Sequence, residues 1–205
     1  VAGHDDDGFV EFAEFLEERG LELSEEKTRI VHIDNGFDFL GFNVRKYNGK
    51  LLIQPAKSSV VAVKDKIRGI LKSGRSLPQD ALIRCLNPIL RGWGNYYRHV
   101  VSKEIFSEVD AAIWRMTWNW AKRRHPQKPL RWVKKRYFAR RDGCNWVFTD
   151  GSVSLFRMAS IPIRRHVKIR GDANPYDPAH VGYFVRRQAR AGTTAPTAPP
   201  VWLQL

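Results

Sequence analysis

Apolar residues recur along this chain in two rhythms, and each change of rhythm marks a change of element. Phe9, Phe12, Phe15 and Leu16 fall at helical spacing with glutamates opposite, and Gly20 stands where a helix C′ residue belongs, which predicts a helix over 9–19. Residues 28–33, 37–47 and 50–54 alternate or run apolar as strands, divided by Asp34-Asn35-Gly36 and Asn48-Gly49. Asn and Gly tolerate positive φ, so these turns predict a three-stranded antiparallel meander.

After Pro55 the period lengthens. Val60, Val63, Ile67 and Ile70/Leu71 form one stripe, with Ser58 or Ser59 as the predicted cap and Gly74 as the end. Ser76-Leu77-Pro78-Gln79 reads as a capping box opening a helix through Ala81, Leu82, Ile83 and Leu86, which Pro88 should kink or end. Phe106, Val109, Ile113, Met116 and Trp120 then step by threes and fours and predict the longest helix. It stops before Pro126, and 130–138 predicts one further short helix. Residues 145–149 and 153–158 flank Asp150-Gly151 as a predicted hairpin; 162–187 is basic and irregular, and 191–200 is a Thr/Ala/Pro tail expected to be disordered. The fold class is therefore α+β: an N-terminal helix and meander, a small helical bundle, and a C-terminal hairpin.

Charge sharpens this picture. The formal charge of +14 is divided unevenly. Residues 1–38 hold twelve Asp/Glu against three Lys/Arg, a net of −9, and residues 39–205 hold nine against thirty-two, a net of +23. Between Arg115 and Arg141 stand eleven Lys/Arg and no acid, with Trp114, Trp118, Trp120 and Trp132 among or beside them. Like charge at that density repels itself unless a polyanion relieves it, and aromatic faces stack on unpaired bases, so nucleic acid is the expected partner. Upstream, 86–99 combines Trp93, Tyr96 and Tyr97 with Arg91, Arg98, His99 and two glycines. Trp120 lies on the apolar stripe and is expected in the core, as are Trp114 and Trp118 on its flank.

Other chemistries fare poorly. Asp5-Asp6-Asp7 invites a metal reading, but no convergent carboxylate or rigid strand is evident, and a solvated terminus is the simpler expectation. The six histidines are scattered, and Cys85 and Cys144 lack CxxC spacing, so zinc and disulfide frameworks are not expected. There is no Gly-rich phosphate loop and no apolar run of membrane-spanning length. The expectation is a soluble, cytoplasmic protein with no membrane partner, no metal site and no cofactor.

Several blocks carry a family resemblance. Residues 20–28, then His32-Ile33 and Gly36-Phe37-Asp38-Phe39-Leu40-Gly41-Phe42, resemble the last palm motifs of group II intron reverse transcriptases. Residues 86–99, with Phe106, Trp114, Trp118, the run from Trp120 to Pro126, and Arg136-Tyr137-Phe138, resemble the maturase-specific thumb, or domain X, of the same proteins. Residues 166–178 are similar to the link that precedes an HNH endonuclease in some members.

The resemblance implies a remnant of the palm at 1–54, the thumb at 55–141, a hairpin and basic linker at 142–187, and a disordered tail at 188–205. It implies a fragment that binds structured group II intron RNA and aids splicing, derived from an RNA-directed DNA polymerase, with a DNA target as a further candidate partner. The Tyr-Ala-Asp-Asp strand and the HNH module of the family are not matched, so no catalytic residue is assigned, and Mg²⁺ is expected only for the polymerase centre. Two alternatives stand beside it: a relic of a decayed mobile element, and one part of a split reverse transcriptase active with a partner chain. The residues expected to face RNA are Lys27, Arg91, Tyr96, Tyr97, Arg98, His99, Lys122, Arg123, Arg124, His125, Lys128, Arg131, Lys134, Lys135 and Arg136.

Overall fold

The computed structural model describes residues 6–24, 26, 28–165 and 169–191. Lys27, His4, Asp5, the start of the 166–178 block and the tail from 192 lie outside the described residues. The described chain is mixed α+β. A helix α1 (Asp6–Glu17) precedes a sheet of β1 (Phe37–Phe39), β2 (Phe42–Tyr47) and β3 (Lys50–Pro55). Four helices follow: α2 (Lys57–Ser73), α3 (Gln79–Tyr97), α4 (Lys103–Arg124) and α5 (Leu130–Tyr137). A hairpin of β4 (Phe138–Arg141) and β5 (Cys144–Phe148) and a helix α6 (Val181–Ala191) complete it.

The meander has three strands, but not the three expected. Residues 28–33 form no strand; they touch the sheet where Lys46 N–H donates to Ile33 O at 3.0 Å. The expected 37–47 strand instead folds on itself at Leu40-Gly41, with φ of 49° and 81°, so that Phe39 pairs with Phe42. Asn48-Gly49 closes the second hairpin as expected, at φ of 46° and 79°. The C-terminal hairpin is also displaced. Its turn is Asp142-Gly143, with φ of 48° and 73°, and 153–158 contributes only a bridge between Ser154 and Thr149. Both Asp-Gly pairs satisfy the turn rule; the ladder formed at the first one.

The helical stripes pack as their spacing requires. Val63, Ile67, Leu82, Leu86, Leu90, Phe106, Val109, Ile113 and Val133 are buried in one core. Each such side chain contributes roughly 1.5–3 kcal/mol relative to exposure. The helix starts differ from the expected ones, and two residues of the expected caps make tertiary bonds instead. Ala56 and Pro78, not a serine, precede α2 and α3, and neither start has a side-chain cap. Ser59 Oγ–H donates to Gly41 O at 3.2 Å, and Gln79 Nε2 donates to Tyr137 O at 2.9 Å. Pro88 does not end α3, which runs on through Gly94 to Tyr97. A Cβ at Gly94 would lie 2.3 Å from Ile161 Cδ1, so that glycine serves close packing.

One carbonyl joins sheet to bundle. Gly41 O accepts from Ala56 N–H at 2.8 Å, from Tyr97 O–H at 3.0 Å and from Ser59 O–H. Segment 149–163 then crosses α3 and α4 on two side-chain clamps. Asn87 donates to Ser154 O and accepts from Phe156 N–H, while Asp110 accepts from Met158 and Ala159 N–H. The 162–187 stretch, expected to be irregular, includes the helical segment that begins α6. In contrast with the bundle, α1 leaves Phe12 and Phe15 exposed, and the meander exposes Phe39 and Leu51.

Candidate nucleic-acid interface

The basic surface is built where α2 and α4 run side by side. Lys64 pairs with Glu108 at 2.6 Å, and ten residues on Gly74 O accepts from Trp120 Nε1–H at 3.1 Å, so the two helices are parallel. The stripe that buries Ile67, Leu71, Ile113 and Trp120 thereby sets Arg68 and Lys72 of α2 opposite Arg123 of α4. Between them lies an open cleft of about 780 Å³ with Trp120 in its wall and Arg68, Lys72, Arg75, Arg123 and Arg124 around it. Asp65, paired with Arg68, is the neighbouring carboxylate. The cations of the last turn of α4 also stand at the negative end of its helix dipole.

Arg124 is both wall and strut. Its guanidinium lies 4.7 Å from the Trp120 ring and donates to Arg75 O at 2.8 Å and Leu77 O at 2.6 Å. Those bonds fix the α2–α3 turn against the end of α4 and leave the cleft rigid along one side. His125 is likewise structural: its Nε2 lies 2.7 Å from the Tyr137 hydroxyl, and its ring meets Trp132 edge to face.

Beyond the cleft, α5 turns Val133 and Tyr137 inward and Arg131, Lys134, Lys135 and Arg136 outward. Lys128 sits 5.7 Å above Trp132, and Lys134 4.1 Å above Trp146, so aromatic faces hold both ammonium groups at the surface. Lys122 and Arg123 are exposed, and Arg91 on α3 is exposed with its guanidinium 4.4 Å from the Phe156 ring.

The 96–99 cluster is placed differently from the sequence expectation. Tyr97 is 3% exposed, with its hydroxyl on Gly41, and belongs to the core rather than to a contact surface. Tyr96 donates to Leu40 O at 3.0 Å and stacks on Phe42, but half of its surface stays open. Arg98 is half-buried and caps α3, and the half-buried His99 ring lies 5.5 Å from Phe42.

Arg68, Lys72 and Arg75 escape a reading that looks for dense basic runs, because only four Lys/Arg are spread over the acid-free stretch 66–79. The step of four places Arg68 and Lys72 on one face of α2, and Arg75 follows just past the helix end at Gly74. Trp120 is in the core as expected, while Trp114 remains 37% exposed. Among the described residues no group of three His, Cys, Asp or Glu side chains is placed to hold a metal ion, and no helix is long and apolar enough to cross a membrane.

Residues 60–138, which span α2 through α5, match the family model of the group II intron, maturase-specific domain. This segment is similar to the group II intron maturase-specific domain. That domain implies a maturase role in group II intron splicing, with the intron RNA as partner. Both walls of the basic cleft, and all of the α4 and α5 cations described above, fall inside the maturase-specific segment. No curated protein matches the chain.

Proposed function

We propose that this chain grips structured intron RNA through the α2–α4 cleft and the exposed cations of α4 and α5, and thereby holds the intron in a splicing-competent fold. The observation that carries the reading is the cleft itself: five cationic side chains around one concavity, with one of them, Arg68, paired to Asp65. Packed helices keep that charge in place, so phosphates meet a preformed surface and release their counterions without ordering the protein. The open half of the Tyr96 ring supplies an aromatic surface for contact with an unpaired base. The blocks at 20–42 support descent from a reverse transcriptase. In this proposal the palm-like segment and the meander support the grip.

The test is splicing of the host group II intron at limiting Mg²⁺, with and without the full chain. Faster splicing is expected, with most of the gain lost when Lys72, Arg123, Lys134 and Lys135 are all changed to Gln. No acceleration by the unaltered chain would contradict the proposal.

A further inference from the structure

The opposite face of α4 carries a second cavity that no basic cluster explains. Residues 107, 110, 114 and 117 lie about half a turn of the helix from 116, 119, 120 and 123, which face the basic cleft. Against them β5 and segment 155–159 enclose about 420 Å³, a size within the usual range for small-ligand sites. Its floor is apolar, from Ile113, Val147 and Leu155. Its mouth is aromatic and polar: Trp114, Trp146, Asn145, Ser107 and Arg157.

Trp146 is the unusual residue here. Its φ is 59°, in the left-handed region that bulky side chains avoid, and the β4–β5 register slips just before it, between Ala139 and Arg141. A bulge of this kind re-aims a side chain. Here the indole lies 6.0 Å from Trp114 and 5.7 Å from Trp118, yet stays 37% exposed, the same as Trp114. A tryptophan wanted only for packing has no need of a strained backbone that leaves it more than a third exposed. Lys134 stands 4.1 Å over one face of the same ring and adds a cation beside the cavity.

We propose that this cavity receives one unpaired nucleobase of the bound RNA. The inference rests on the RNA-binding reading above and adds base contact to a phosphate grip. The base packs on the exposed part of Trp114 and against the Trp146 ring, which stands at 73° to it, and displaces water from the apolar floor. The Asn145 amide offers a donor and an acceptor to its edge, and the Arg157 guanidinium offers a further donor. Ser107 Oγ–H donates to Lys103 O at 3.2 Å, which leaves its lone pairs as acceptors. Asp110 is already engaged by Met158 and Ala159 N–H, and fixes the far wall. The Lys134 ammonium meets the adjoining phosphate.

The experiment measures binding of the full chain to a fluorescein-labelled single-stranded RNA octamer and to the same octamer with abasic central positions. The charge is the same in both. The abasic strand is expected to bind about fivefold or more weakly, with an unchanged log–log salt slope. Trp146→Gly, which accepts the positive φ without strain, is expected to erase that difference while keeping a cooperative circular-dichroism melt. Asn145→Ala, at an exposed position, narrows the difference independently should the glycine variant melt early. Equal binding of intact and abasic strands by the unaltered chain overturns the base site and leaves the phosphate grip standing. Salt-independent or absent binding of both strands overturns the two together.

Discussion

Buried polar groups decide much at the scale of single residues, and Asp110 shows two opposed effects on one side chain. Burial pushes its carboxyl above the usual range, while N–H donation from Ala159 and Met158, and the charges of Arg157 and Lys103, pull it back. The net shift is upward, so the folded state holds this proton more tightly than the unfolded chain. The Asp110 contribution to stability is then complete below the ordinary carboxylate range and declines as pH rises through the raised value. Asp110→Asn has no proton to lose. Urea melts between about pH 3 and about pH 7 should show the variant gaining on the unaltered chain as pH rises; a pH-independent difference would contradict the shift. Such pairings were hidden in the sequence, because an aspartate on a helix looks the same whether it faces water or caps a distant 3-10 turn. The Arg124 bonds to Arg75 O and Leu77 O were hidden for the same reason. Tyr97 is held in the core by a hydroxyl partner 56 positions away, at Gly41, which nothing in its own neighbourhood announces.

Turns and stripes govern the scale of elements. The apolar stripes of α2 and α4 were legible, since helical spacing states burial directly and Val60, Val63, Ile67, Phe106, Val109, Ile113 and Trp120 are buried. Turn chemistry was legible only where Asn-Gly or Asp-Gly announced it. Leu40-Gly41 makes a turn of the same backbone hand with a leucine in the left-handed region, 70% exposed. That choice costs about 1–2 kcal/mol for a non-glycine residue. The two neighbouring positions should therefore respond with opposite signs. Leu40→Asn, better suited to positive φ, is expected to raise stability by up to about 1 kcal/mol. Gly41→Ala places a Cβ 2.8 Å from the Tyr97 hydroxyl and 2.9 Å from Ser59 Oγ at φ 81°, and should lower it by about 1–3 kcal/mol. Thermal melts of both variants check the pair; changes of the same sign would show that this turn does not anchor sheet to bundle. Pro88 teaches the converse. Pro88 is expected to kink or end its helix, but the buried run of Leu86, Leu90 and Tyr97 carries α3 past it.

Charge and packing meet at the scale of the whole molecule. The acid-free stretch at 115–141 was legible from composition, and it does reach the surface on the end of α4 and the outer face of α5. What composition could not give is the contribution of α2 and the turn after it, because Arg68, Lys72 and Arg75 join that surface only once two parallel helices pack. The central claim is that these cations hold RNA phosphates, and the salt dependence of binding measures it most directly. Binding of the full chain to its intron RNA is compared with the Lys72→Gln, Arg123→Gln, Lys134→Gln, Lys135→Gln quadruple variant across a range of salt. Each lost phosphate contact removes about 0.7–0.9 from the log–log slope, so a slope shallower by about 3 is expected for the variant. An unchanged slope would contradict the grip at these four side chains.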